Sequence, residues 1–133
     1  MREDDMSNDE EVLAGASLPR WFKGSVRSLG GIIRLAAEAG GSVDTAVDNA
    51  TIHLGDLRNR AARDTVGFTE AARAVLFAIQ ELDTYTGRTH VNAPGYSSTV
   101  GQLKADAVSA LRHLVELLRT AEPSESAKAL FID

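Results

Sequence analysis

The chain has no cysteine, three prolines, three histidines and one tryptophan in 133 residues, and no long apolar run. Without cysteine, neither a disulfide framework nor a thiolate metal site can form. No stretch approaches the roughly 18 apolar residues of a membrane helix, and the first residues are acidic where a leader would be basic and then apolar. These absences predict a cytoplasmic protein without a membrane partner, in which the sequon Asn49-Ala50-Thr51 is incidental. The histidines, His53, His90 and His113, lack the His-x-x-x-His or Glu-x-x-His spacing that sets two ligands on one helical face, so no metal is expected. Neither a phosphate-cradling Gly-x-x-x-x-Gly-Lys-Ser/Thr loop nor a Gly-x-Gly-x-x-Gly turn occurs. With no nucleophile or acid pair marked out, the expectation is a non-enzymatic chain without a cofactor.

What is present is an apolar repeat in alternating steps of three and four. Its clearest run is Val100, Leu103, Ala107, Ala110, Leu114, Leu117 and Ala121. Only a helix returns residues to one face at these steps, since a strand needs period 2. The hydrophobic fraction of 44% and charged fraction of 25% suit one globular domain of this length.

Four such segments are legible. Ser17-Leu18-Pro19 starts the first, which runs to about Ala39 with Phe22, Val26, Leu29, Ile33 and Ala36 inward, and Gly40-Gly41 stops it. Ser42 caps the second, with Val43, Val47, Ala50, Leu54, Leu57 and Ala61 inward, ending near Arg63. The third begins at Asp64 or Thr65, carries Phe68, Ala72, Val75, Ile79 and Leu82, and stops at Gly87. Its centre, 74–79, is apolar throughout, so this is expected to be the most buried helix. Thr99 and Gln102 form a capping box for the fourth, which ends near Ala121 before Pro123. The expected fold is an all-α antiparallel four-helix bundle, with helical hairpins completed by dimerisation as the alternative. The domain plan is an acidic flexible arm over 1–16, the bundle over 17–122 and a short helical tail over 123–133.

Charge is uneven. Residues 1–11 hold six carboxylates against Arg2, a local charge of −5 that equals the net charge of the chain, so the rest is neutral. Such an arm solubilises the body, or competes with nucleic acid for a basic patch on it. A patch exists opposite the apolar face of the first helix, where Arg20, Lys23, Arg27 and Arg34 share one stripe beside Gly24, Gly30 and Gly31. Glycine in a helix interior is less favourable than alanine by about 1 kcal/mol, a penalty that marks places where something approaches the backbone closely. Arg20, Lys23, Gly24, Arg27, Gly31 and Arg34 are therefore the candidate partner-binding residues. An acidic protein fits them, and nucleic acid is the alternative, with Trp21 the one nearby aromatic for base stacking.

Within this stretch, Arg20-Trp21-Phe22-Lys23-Gly24-Ser25 followed by Leu29-Gly30 resembles the histidine-phosphotransfer domain motif, a phospho-accepting His followed by x-Leu-Lys-Gly-Ser and then Leu-Gly. The resemblance covers about 11 of the 133 residues. It implies a four-helix bundle and an adaptor that docks a receiver-like partner through Lys23, Gly24 and Ser25. The acceptor position is Arg20, and a guanidinium stays protonated and cannot relay a phosphoryl group as imidazole does. What the resemblance implies is thus a degenerate adaptor without the transfer activity.

Apolar surface beyond one face points to self-association. Val108, Leu111, Val115 and Leu118 widen the stripe of the fourth helix, and Phe77 stands opposite the inward row of the third. Phe77, Leu111, Val115 and Leu118 are the candidate self-association residues. The loop 87–97 is a candidate recognition loop with Tyr85 and Tyr96 near its ends and Arg88, His90 and Asn92 within. Leu130, Phe131 and Ile132 form either a docking peptide or a turn folded back on the core. Together these features predict an interaction or assembly module, a homo-oligomer or one subunit of a heteromeric complex.

Overall fold

The computed structural model describes residues 11–15, 17–38 and 45–130. A helical turn at 11–14 precedes five helices: α1 (Arg20–Ala37), α2 (Ala46–Arg60), α3 (Phe68–Arg88), α4 (Tyr96–Arg119) and α5 (Glu125–Leu130). Helix α3 packs on α4, α1 on α2 and α4, and α2 on α3, with α1 also meeting α3 across the diagonal. The link 89–95 reaches about 25 Å at full stretch, less than the roughly 30 Å length of α3, so α3 and α4 run antiparallel. With α1 and α2 packed against them, the helices form the expected four-helix bundle. Its centre is filled by Phe22, Leu29, Ile33, Leu57, Ile79, Leu82, Leu111, Leu114 and Leu118, all fully buried within this one chain.

The helix ends differ from the sequence reading for local reasons. Helix α4 starts four residues early, because Gly95 turns left-handed at φ 76° and its carbonyl accepts the Thr99 N–H at 2.9 Å. Thr99 thus sits inside the first turn instead of capping it, and Gln102 donates to Asp106 at 2.9 Å. Helix α3 starts late, at Phe68, since 61–67 is used for other contacts: Ala61 bridges to Pro123, and Thr65 donates its N–H and hydroxyl to the Ala62 carbonyl. The expected cap at Ser42 and inward Val43 lie outside the described residues. The six apolar residues 74–79 do not make α3 the most buried helix, because Ala74 and Phe77 face outward, whereas α4 contributes more buried side chains.

The expected arm also ends sooner than residue 16. Val12 and Leu13 are buried in the core, which draws the 11–14 turn onto the bundle beside α1. Three of the candidate self-association residues are corrected by the same packing. Leu111, Val115 and Leu118 are 0–2% exposed, because α4 lies against α3 on one side and α1 on the other, so both of its apolar stripes are covered within the chain. Only Phe77, 63% exposed, remains at the surface.

The tail folds back. The Ser124 hydroxyl donates to the Asn59 carbonyl at 2.7 Å and accepts the Ala127 N–H at 3.1 Å, while Ser124 N donates to the Arg60 carbonyl at 2.7 Å. One serine thereby caps α5 and satisfies two end carbonyls of α2. Ala127 is buried against this seam and Leu130 is exposed; Phe131 and Ile132 lie outside the described residues. Ser124→Ala is expected to lower stability by about 1 kcal/mol, the usual worth of a helix cap, with faster amide exchange in 125–130 as the check.

Candidate functional site

Helix α1 divides its surface between three tasks. Its inner face, with Phe22, Val26, Leu29 and Ile33, fills the core. On one flank, Ser25 is buried and its hydroxyl donates to the Asp56 carboxylate of α2. Arg60 pairs with the same carboxylate at 3.2 Å and donates to the Trp21 carbonyl at 3.1 Å. This clasp fixes how α1 and α2 cross.

On the other flank the 11–15 segment lies against α1. A Cβ built on Gly30 would overlap the Leu13 carbonyl oxygen and stand 2.6 Å from its carbon, so the chain passes where only glycine leaves room. Gly15 sits close to Val26 and to the Lys23 carbonyl. Gly30 therefore leaves the surface set: its missing side chain is filled from within the molecule.

The third surface faces outward. Arg20, Gly24, Arg27 and Arg34 are exposed, and Lys23 and Gly31 are half-exposed. The structure thus brings all six candidate partner-binding residues onto one side of α1. A Cβ on Gly24 or Gly31 would meet nothing within 4 Å, so neither glycine is required by contacts in the described fold. One turn beyond Gly31, Leu35 is 50% exposed. At about 100° per residue it adjoins the glycines and extends the smooth strip they leave. Sequence periodicity missed Leu35 because it falls outside the inward row without being polar.

Two associated expectations change. Ser25, one of the three residues in the phosphotransfer-like motif, points at Asp56, leaving Lys23 and Gly24 at the surface. The i, i+4 spacing of Asp56 and Arg60 was the legible sign of that clasp. Trp21 packs against the core on the flank away from the arginines, so it does not offer a ring beside the basic stripe.

Elsewhere the chemistry is mostly internal. The ends of the 89–95 link are held by the Tyr85 and Tyr96 rings, stacked 5.7 Å apart, and within it the His90 Nδ1 accepts the Asn92 N–H at 3.1 Å. A cleft of about 1070 Å³ lies between the end of α2 and α5. Of its three arginines, Arg58 lies 5.0 Å from the Phe68 ring centroid and bonds the Ala62 carbonyl, Arg60 belongs to the clasp, and Arg63 lines the cleft. Among the described residues, no group of three or more potential ligands could hold a metal, and no helix is long and apolar enough to cross a membrane. No family model, curated protein or solved structure matches the chain.

Proposed function

We propose that this chain is a non-enzymatic helical interaction module, acting in the cytoplasm as an adaptor or small subunit, whose α1 face docks an acidic protein segment. The observation that carries this reading is the contrast among the three glycines. Gly30 is explained by Leu13, whereas Gly24 and Gly31 open onto space between exposed cations. Two helix-weakening residues that the described fold does not need mark a surface kept low for a partner. Cations at Lys23 and Arg27 then select an acidic one. The inward-packed Trp21 removes the stacking contact that would favour nucleic acid over protein.

The test separates docking from folding. With open space at both positions, Gly24→Ala and Gly31→Ala are each expected to raise stability by about 1 kcal/mol, read from denaturant midpoints. Gly31→Leu should likewise keep the fold, yet weaken binding of fluorescent poly-L-glutamate at low salt by roughly tenfold or more as its side chain fills the strip. Arg27→Glu should remove that binding. Unchanged binding in both variants would show that the α1 face is not the docking surface.

A further inference from the structure

We infer that the acidic segment docked on α1 places a carboxylate in a pocket between the end of α1 and the start of α4, held there by Lys104, Ser97 and Tyr96. This rests on the α1 face being the docking surface, and extends that surface onto a second helix.

The pocket continues a groove that the chain itself partly fills. Helices α1 and α4 run antiparallel, since Arg119 donates to Ser17 at 3.1 Å at one end while Arg34 and Lys104 line one pocket at the other. Between these ends the 11–15 segment lies in the groove. Glu11 and Val12 line a depression with Arg112 and Val115 of α4, and Leu13 rests on Gly30. One turn past Gly30 the groove opens into a pocket of about 480 Å³, lined by Arg34 and so adjoining the docking face.

Three observations in the pocket point to an anion. Lys104 is half-exposed and pairs with no acid among the described residues, although Glu38 lines the same pocket. Helix α4, 24 residues long, begins with neither a side-chain cap nor an acidic residue in its first turn. The Ser97 N–H has no acceptor among the described residues, so the positive end of the helix meets the pocket uncompensated. Tyr96 also lines the pocket and is 6% exposed, and its hydroxyl is buried without a hydrogen-bond partner. Such a group is costly, and a carboxylate oxygen would satisfy it. One unpaired ammonium with Glu38 nearby suits a singly charged carboxylate better than a doubly charged phosphate. Arg34 already has an interaction partner and is not needed for this balance.

Tyr96→Phe in the full chain separates this role from a structural one. Losing an unpartnered hydroxyl should leave the denaturation midpoint equal or higher, yet weaken poly-L-glutamate binding at low salt by roughly two- to fivefold. Lys104→Gln should weaken it by roughly fivefold. Arg63→Gln removes the same charge from an exposed residue of the 61–67 link, and its effect should stay under about twofold. Native-like binding by Tyr96→Phe or by Lys104→Gln, with Arg27→Glu still weakened, would overturn the inference while leaving the docking face intact. An equal loss in Arg63→Gln and Lys104→Gln would overturn it too, as the response of any surface cation. Failure of the docking reading looks different, because Arg27→Glu and Gly31→Leu would then bind like the native chain.

Discussion

Gly30→Ala should release the N-terminal turn from the bundle and lower stability by about 2–5 kcal/mol. The added methyl would overlap the Leu13 carbonyl, and backbone cannot yield as a flexible side-chain tip does. The 11–15 segment must therefore move, carrying Val12 and Leu13 out of the core. Burial of side chains of this size contributes roughly 1.5–3 kcal/mol each, which sets the scale of the loss. The gain in helix propensity from alanine, about 1 kcal/mol, offsets only part of it. Denaturant unfolding gives the magnitude, and loss of amide protection at 12–15 with α1 still protected gives the mechanism. Gly31→Ala, one residue away, has the opposite expected sign. Equal effects at the two positions would refute the account of the α1 surface.

Leu111→Ala should cost about 2–5 kcal/mol, the range for truncating a fully buried leucine, with no dependence on protein concentration. Its side chain sits where α4 meets its neighbours within the chain, so the cavity forms inside one bundle. Had the wide stripe of α4 been an intersubunit seam, the midpoint would rise with concentration and the variant would change that slope. Phe77→Ala is the matched control: its ring is 63% exposed, and a shift within about 0.5 kcal/mol is expected. A large loss at Phe77, or a concentration-dependent midpoint at Leu111, would restore the self-association reading.

The helical repeat was legible because each stripe repeats over several turns, and inward residues such as Phe22, Leu29, Val75 and Leu114 were placed from spacing alone. Helix ends were less legible, since they depend on tertiary partners. Gly95 displaced Thr99 as the start of α4 through a backbone conformation that spacing does not encode, and Ala61 left α2 to bridge Pro123, some sixty positions away. The α1 face was readable as a row of cations and glycines. The division of labour among its glycines was not, because Gly30 is defined by Leu13, a residue the charge pattern had assigned to the arm. The wide stripe of α4 was visible as well, but a helical wheel does not say whether its second neighbour belongs to the same chain.

The Leu13 carbonyl resting where Gly30 lacks a side chain also shows what kind of object α1 admits: a peptide main chain laid directly on the helix. Gly24 and Gly31 present the same relief to the outside. A ligand seated there would be read by the path of its backbone and by its sign of charge, with little discrimination among side chains. Such recognition tolerates wide sequence drift in the ligand so long as acidity is kept, and it leaves selectivity to whatever controls access to the helix.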